Sequence, residues 1–185
     1  MKKVAIQGIR GAFHEEAAKA YFYPEKIEIL TCLKFEQVVN SVVSKEANYG
    51  IMAIENSLIG GIDHTKELIE KHPVEICGEQ RLKISLCLGG LPGVKKEELS
   101  GAYSQGEALG QCAGFFRKNR NIQALEREDT ALSAFLVAEQ KRRELGAIAS
   151  KMALEKYGLS LIAESIQDRQ ENYTRFIIIQ KISNE

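Results

Sequence analysis

Short β-rich runs alternate with helical periods along nearly the whole of this chain of 185 residues. The first unit is a predicted strand at residues 3–7, which leads through a glycine loop into a helix whose apolar face begins at Phe13. The run at residues 49–54 is almost continuously apolar, as expected for a strand with both faces covered. Repeated β-α units predict an α/β fold whose mostly parallel sheets are flanked by helices.

The other predicted elements continue this alternation to the C-terminus. Strands are predicted at residues 27–31, 74–78, 82–88, 101–103, 121–125, 146–149, 161–163 and 175–180. Helices are predicted at residues 64–72, 107–117, 130–142 and 150–157 and in the segment that starts at Phe35, and residues 89–93 are predicted to form a loop.

The number of strands indicates two lobes rather than one sheet, because a sheet usually holds about four to six strands. We expect the first lobe to comprise residues 1–80 together with 172–185, and the second lobe to comprise residues 81–171. No helix follows the last predicted strand, so this strand is expected to cross back into the first lobe.

Composition and charge exclude several classes of protein. Lysine plus arginine equals aspartate plus glutamate at 25 each, so no global field attracts nucleic acid or a membrane surface. No segment approaches the roughly 20 apolar residues that span a bilayer, and a cytoplasmic location is expected. Four cysteines show no metal-ligand spacing with the histidines and are interpreted as buried thiols: Cys32, Cys77, Cys87 and Cys112.

Four polar segments lie next to predicted strands, three after a strand and the fourth at the start of the last one, and ligands bind at such strand ends in open α/β sheets. They are residues 8–14, 55–61, 103–106 and 172–176. Each also has a purely structural interpretation. The glycine loop at residues 8–11 lacks the third glycine of a dinucleotide site; Asn56 and Ser57 are able to cap a turn; Ser104 is able to cap a helix; and Thr174 is a good strand residue.

The order of these segments resembles the catalytic domain of the prephenate dehydratases. The resemblance covers nearly the whole chain, and any single piece of it is weak while the ordered combination is specific. Its main pieces are Gly8 to Gly11 with Phe13, Ile54-Glu55-Asn56-Ser57, Tyr103-Ser104 with Gln111-Cys112, Ile166-Gln167-Asp168, and Asn172-Tyr173-Thr174-Arg175-Phe176. The resemblance implies a two-lobed fold like that of the type II periplasmic binding proteins, with the site in the cleft between the lobes.

The family activity implied by the resemblance is a lyase reaction in phenylalanine biosynthesis. Prephenate loses water and carbon dioxide together and becomes phenylpyruvate. The electrons come from the carbon–carboxylate bond, so the enzyme must supply a donor to the departing hydroxyl and a fixed pocket for two carboxylates. This chemistry requires no cofactor and no metal. The family also implies a homodimer or a higher homo-oligomer.

Site roles are transferred from the family residue by residue. Thr174 is implied as the donor to the leaving hydroxyl, and the implied catalytic residues are Thr174, Asn56, Gln111 and Glu55. The implied substrate-binding residues are Ser57, Ser104, Arg175, Phe176, Gly11 and His14. Glu55 either turns away from the anionic substrate or is protonated by burial and serves as an acid. Arg175 either holds a structural carboxylate or reaches the substrate from the rim, because it faces away from Thr174 and Phe176.

The chain departs from the family pattern at a few positions, and these leave other functions open. Ala12 replaces a hydroxyl residue, His14 replaces a serine and is expected to be neutral near a helix N-terminus, Gln105-Gly106 replaces His-Pro, and Leu86 replaces a histidine. The alternatives are an arogenate dehydratase, a relative that decarboxylates prephenate and keeps the hydroxyl, and a non-catalytic module that binds a small anion. The family's C-terminal regulatory ACT domain is expected to be absent, since the sequence stops soon after the last strand.

Overall fold

The structure is a computed structural model and describes residues 1–183. Its strands are β1 (Lys2–Gln7), β2 (Ile27–Cys32), β3 (Tyr49–Asn56), β4 (Gly60–Gly61), β5 (Val74–Lys83), β6 (Cys87–Gly90), β7 (Gly101–Gln105), β8 (Gln123–Arg127), β9 (Leu145–Ala149), β10 (Ser160–Ala163) and β11 (Tyr173–Lys181). Its α-helices are α1 (Phe13–Phe22), α2 (Phe35–Val43), α3 (Asp63–Lys71), α4 (Gly106–Gly110), α5 (Ala113–Lys118), α6 (Thr130–Gln140) and α7 (Lys151–Lys156).

The chain divides into two compact units. Unit 1 contains Met1–Ile84 and the C-terminal segment that begins at Glu171, and unit 2 contains Ser85–Gln170. Each unit has its own sheet with helices packed on it, which confirms the predicted α/β fold with two flanked sheets.

Unit 1 is built on a sheet of strand order β2-β1-β3-β11-β5, with the short β4 paired to β3. The last strand, β11, does return to this sheet, where it runs antiparallel to both β3 and β5. Its three isoleucines explain why it fits in the middle of the sheet. Ile178 packs with Val4 and Ala17 on the α1 side, whereas Ile177 and Ile179 pack in the cluster that α2 covers on the other side.

Unit 2 is built on a sheet of strand order β10-β6-β9-β7-β8. Helix α6 packs against β9 and β7 through a stripe of small buried residues, Ala131, Ala134 and Val137. Small side chains allow the helix to approach the sheet closely. Asp129 fixes the start of this helix, because its carboxylate accepts the Leu132 N–H at 2.8 Å.

The strand pairing differs from the mostly parallel arrangement that was predicted. In unit 1, β1 pairs in parallel with β2 and β3, but every pair of β11 is antiparallel. In unit 2, β7 pairs in parallel with β8 and β9, whereas β6 pairs antiparallel with β9 and β10. Both sheets are therefore mixed, because each contains strands that no helical crossover precedes.

Two predicted elements were wrong near the middle of the chain. The predicted strand at 82–88 is split, since β5 ends at Lys83 and β6 begins at Cys87. The first two residues of the predicted loop at 89–93 belong to a strand, because β6 continues to Gly90. An added Cβ at Gly89 would stand 2.6 Å from the Leu154 side chain. Local composition suggested a loop, but close packing against α7 explains the glycine.

The predicted helix at 107–117 is two helices, α4 and α5, with a break at Gln111 and Cys112. Asp168 binds at this break from a later part of unit 2. Its N–H donates to the Gln111 carbonyl at 2.7 Å, and its carboxylate accepts the Gly114 N–H at 2.8 Å. The backbone groups that the break releases are thus satisfied by a distant residue.

The cysteine prediction was correct at three positions out of four. Cys32, Cys87 and Cys112 are buried, whereas Cys77 is exposed on the edge strand β5, and all four are free thiols. Burial raises the pKa of the Cys112 thiol to about 12, so this group stays protonated near neutral pH. Within residues 1–183 no helix is both long enough and apolar enough to cross a membrane.

Candidate active site

A β-bulge in β3 brings two of the predicted site residues onto one face of the sheet. Thr174 on β11 lies opposite Asn56 on β3, but Phe176 lies opposite Ala53. Between these pairs β11 advances by two residues and β3 by three, which leaves Ile54 as the extra residue. Regular alternation would place Asn56 on the face opposite to that of Ala53. The bulge instead turns Asn56 towards Thr174, which is a recognised use of bulges beside active sites.

The Asn56 amide is held in one orientation and organises a buried polar cluster. Its oxygen accepts the N–H groups of Leu58 at 2.9 Å and Ile59 at 3.3 Å. Its nitrogen therefore points the other way and donates to Thr174 Oγ1 and to Asn172 Oδ1, both at 2.9 Å. Because Thr174 accepts this bond, its own hydroxyl proton is free to point at a ligand. Asn172 was not among the residues predicted for the site, although it begins the segment that contains Thr174.

All three members of the cluster are buried, with 8% exposure for Asn56 and Thr174 and none for Asn172. A hydroxyl donor in such a place is stronger than one in water, because the surrounding dielectric constant is low. The cluster is thus suited to stabilise negative charge that develops on a departing oxygen.

Ser57 uses its polar groups to hold the segment before Thr174. Its hydroxyl accepts the Tyr173 N–H at 2.9 Å and donates to the Glu171 carbonyl at 3.4 Å, while its own N–H donates to the Tyr173 carbonyl at 2.8 Å. Ser57 therefore holds the backbone of this segment, and the substrate contact implied for it stays a prediction.

Glu55 and Arg175 lie on the other face of the sheet. Arg175 Nε donates to Glu55 Oε2 at 3.1 Å and its terminal nitrogen donates to Glu79 Oε1 at 3.0 Å. The Glu55 side chain is 50% exposed and turns away from Thr174 towards Arg175. Arg175 holds two carboxylates, as the first of its two predicted alternatives requires. It links the three strands β3, β11 and β5 at one end of the sheet.

Replacement of Arg175 by glutamine should have a small effect. Both of its ion pairs are exposed, and exposed pairs usually contribute about 0–1 kcal/mol to stability. We expect the melting temperature to fall by only a few degrees and kcat/KM to change by less than about tenfold. Thermal unfolding and steady-state kinetics of Arg175→Gln test this, and a larger loss confined to kcat would place Arg175 in the catalytic machinery after all.

Phe176 and His14 pack together on the Thr174 face. Phe176 is 1% exposed and fills the core of unit 1, and the substrate contact implied for it stays a prediction. The His14 ring meets Phe176 edge-on at 5.0 Å and Phe35 at 5.6 Å between ring centroids. Its Nε2 accepts the Ala53 N–H at 3.3 Å.

His14 is neutral in this environment, as the sequence predicted. The cause is burial, which lowers the pKa of the ring to about 4. A neutral ring whose Nε2 accepts a hydrogen bond carries its proton on Nδ1. His14 is thus an acceptor towards the sheet and a donor on its other side.

The loop between β1 and α1 is fixed by Glu15, a residue that sequence analysis missed. Its carboxylate accepts the Gly11 N–H at 2.8 Å and lies 2.8 Å from the Lys19 ammonium and 3.3 Å from the Arg10 guanidinium. Burial opposes its ionisation, but the hydrogen bonds from Lys19 and Gly11 outweigh burial and lower its pKa. Gly11, with φ of 94°, turns the chain into this contact. The signal in the sequence was a glutamate in the first turn after a glycine loop.

The remaining predicted site residues, Ser104 and Gln111, belong to unit 2. Ser104 is fully buried, and its hydroxyl donates to the Ile148 carbonyl at 2.6 Å, which ties β7 to β9. It neither caps α4, whose N-cap is Gln105, nor offers a surface to substrate. Gln111 ends α4, where its carbonyl accepts the Asp168 N–H. In the same unit, Gln167 was also missed: its side-chain oxygen accepts the Leu86 N–H at 3.0 Å.

Metal-ligating side chains do not cluster in the part of the chain that the structure describes. Among residues 1–183 no group of three or more histidine, cysteine, aspartate and glutamate side chains is arranged to hold an ion. The chemistry available in the Thr174 cluster is therefore that of hydrogen-bond donors and acceptors.

Comparison with known proteins gives concordant results. A family model described as prephenate dehydratase matches residues 4–184. The chain is 37% identical over 179 residues to arogenate dehydratase/prephenate dehydratase 1, chloroplastic, of Arabidopsis thaliana; the match covers 97% of this chain and 45% of that protein. The chain thus spans about half the length of the curated relatives it matches.

Two solved structures are similar over the whole fold. A prephenate dehydratase from Arthrobacter aurescens in complex with L-Phe has a TM-score of 0.87 at 26% identity, with 98% of this chain and 60% of that chain covered. GqqA, described as a novel type of quorum quenching acylase, has a TM-score of 0.90 at 28% identity, with 100% and 66% covered.

Proposed function

Because the chain belongs to the prephenate dehydratase family, we propose that it converts prephenate to phenylpyruvate in phenylalanine biosynthesis. The observation that carries this proposal is the hydrogen bond from Asn56 to Thr174. This bond uses the Thr174 hydroxyl oxygen as an acceptor and leaves its proton available to donate to another group. A hydroxyl held in this way is suited to donate to the oxygen that leaves the prephenate ring.

The reaction consists of a fragmentation in which the protein withdraws no proton. The bond between the quaternary ring carbon and its carboxylate breaks, and that electron pair enters the ring as carbon dioxide leaves. The carbon–oxygen bond on the opposite side of the ring breaks, and its electron pair departs with the hydroxyl. Thr174 stabilises this departing hydroxide, which takes up one proton from the solution, so that the prephenate dianion and one proton give the phenylpyruvate anion, carbon dioxide and water. The aromatic ring of phenylpyruvate supplies the driving force.

Arogenate is the second candidate substrate, because the Arabidopsis relative carries both names. Arogenate has an ammonium group where prephenate has a keto group, so a site for arogenate would benefit from a nearby carboxylate. The carboxylates of Glu55 and Glu79 are held by Arg175 on the opposite face from Thr174. This favours prephenate as the preferred substrate.

The experiment compares the two substrates in one assay. Purified protein is incubated with prephenate and with arogenate, and phenylpyruvate and phenylalanine are measured as products. We expect kcat/KM to be higher for prephenate. A higher value for arogenate would reverse the preference, a non-aromatic decarboxylated product would show that the hydroxyl is kept, and binding without turnover would leave an anion-binding module.

The location is inferred from the sequence pattern, and the assembly is inferred from the family resemblance. We infer a cytoplasmic homo-oligomer that contains at least two copies of the chain. Light scattering after size-exclusion chromatography measures the mass in solution, and a mass equal to the 20.6 kDa of one chain would contradict the oligomer.

A further inference from the structure

The bulged part of β3 is held by side chains from two helices. The parallel ladder between β1 and β3 ends at the pair of Ile6 and Ile51, so Ala53 lies beyond it. The Ala53 N–H donates to His14 Nε2 at 3.3 Å, and the Ala53 carbonyl accepts the Thr65 hydroxyl at 2.8 Å. His14 comes from α1 and Thr65 from α3. We call this arrangement the Ala53 clamp.

The clamp lies directly beside the residue that creates the bulge. Ala53 is followed by the extra residue Ile54, whose carbonyl accepts the Ile62 N–H at 2.8 Å. Thr65 is fully buried, and Ala53 is 7% exposed. Backbone groups that are buried beyond a ladder need other partners, or they would cost about 1–3 kcal/mol each. The side chains of the clamp provide these partners and so stabilise the bulged register over the regular one.

The bulged register determines where Asn56 points. With the extra residue, Asn56 faces Thr174 at 2.9 Å; with regular alternation it would face the other side of the sheet. We propose that His14 is a positioning residue, which together with Thr65 holds the bulge that orients Asn56 and, through it, the Thr174 hydroxyl. This inference rests on the proposed dehydratase activity. It assigns to His14 a task that needs no contact with the substrate.

The ring of His14 suits this task for two further reasons. It is neutral, so its Nε2 keeps the lone pair that Ala53 requires. Its edge-on contacts with Phe35 and Phe176 restrict its rotation. Phe176 is also the β11 partner of Ala53, so the ring touches both strands at the bulge.

Three substitutions of His14 separate the acceptor from the ring. His14→Phe keeps the ring contacts and removes the acceptor. His14→Gln places an amide oxygen at the reach of Nε2, whereas His14→Asn is the matched control whose oxygen is one carbon too short. We expect kcat to fall about 10–100-fold in the Phe and Asn variants, with KM within about threefold, because a misplaced donor weakens transition-state stabilisation. The Gln variant should recover most of kcat.

A parallel pair tests the other side of the clamp. Thr65→Val removes the hydroxyl at nearly constant volume, and Thr65→Ser restores it. We expect Thr65→Val to reproduce the kcat loss of His14→Phe. If His14→Phe is impaired and Thr65→Val is not, His14 acts on the substrate directly and the inference is overturned.

A double-mutant cycle with Asn56 distinguishes positioning from general damage. If His14 acts through Asn56, adding His14→Phe to Asn56→Ala should lower kcat by less than about twofold further, whereas independent effects would multiply. If the effects of the two substitutions on kcat multiply fully, the inference is overturned. Wild-type kcat in His14→Phe overturns it as well.

Measurements made without substrate test the role of His14 independently of the proposed function. Amide hydrogen exchange should accelerate at Ala53, and the side-chain amide resonances of Asn56 should shift, in His14→Phe but not in His14→Gln. If the wild type turns over neither prephenate nor arogenate, the proposed function fails, and these signals still decide whether His14 holds the bulge. Unchanged Asn56 resonances in His14→Phe would overturn the inference by themselves.

Discussion

Thr174→Val should lower the kcat for phenylpyruvate formation by about 100–1,000-fold while KM changes by less than about threefold. Loss of one preorganised donor to developing negative charge typically has this effect. Valine keeps the shape of threonine, so the core around Phe176 stays filled. Asn56 keeps its bond to Asn172, so we expect only about 1 kcal/mol less stability. Steady-state kinetics at saturating prephenate measure the effect.

Thr174→Ser is the matched control for this prediction. It retains the hydroxyl and loses one methyl group, so kcat should stay within about tenfold of the wild type. If valine and serine reduce kcat equally, the packing of Thr174 is what matters and its hydroxyl is not the donor. Equal activity of Thr174→Val and the wild type would also exclude the proposed role, because no other change in that variant compensates for a lost donor.

The sequence predicted the elements of unit 1 well, because the residue pattern that indicates each element lies within that element. The apolar run at residues 49–54 and the isoleucines of β11 determine strands whichever partners they have. The bulge was not predictable in this way. It depends on the register between Asn56 and Thr174, which are 118 residues apart in the chain. No local pattern marks Ile54 as an extra residue, since it simply continues the apolar run that precedes it.

The sequence predicted which residues lie near the candidate site better than it predicted the directions in which their side chains point. Asn56 and Thr174 do meet, but Phe176 and Ser104 point into the core of their own units. A strand position gives one of two faces, and only the packed structure shows which face is buried. Arg175 is the exception: alternation alone separated it from Thr174, and its two glutamates confirm that separation.

Glu15 illustrates a residue whose role depends on folding of the loop before it. From the sequence it is one of two acidic residues in the first turn of α1, and both would be expected to face solvent. In the structure it is 1% exposed and binds the Gly11 N–H, because Gly11 adopts a positive φ. The backbone conformation of Gly11 thus determines which of the two glutamates is buried, and the sequence alone does not specify that conformation.

His14 should make the protein less stable below about pH 6. Burial lowers the pKa of the ring from 6.5 to about 4, so between these values the unfolded chain takes up a proton that the folded protein does not. Stability from this source is complete above pH 6.5 and is lost as the pH falls towards 4. We expect the free energy of unfolding to decrease by on the order of 2 kcal/mol between pH 7.5 and pH 5. Urea titrations at both pH values measure this change.

His14→Gln isolates the contribution of the ring. Other groups titrate in the acid range too, such as Glu16, whose pKa is raised by burial, but they are common to both proteins. Glu15 has a lowered pKa, so its contribution is lost only below the pH at which a free glutamate titrates. The difference between wild type and variant should therefore depend on pH between 4 and 6.5 and be constant above. A difference that is constant over the whole range would show that His14 is not held as a neutral acceptor for Ala53.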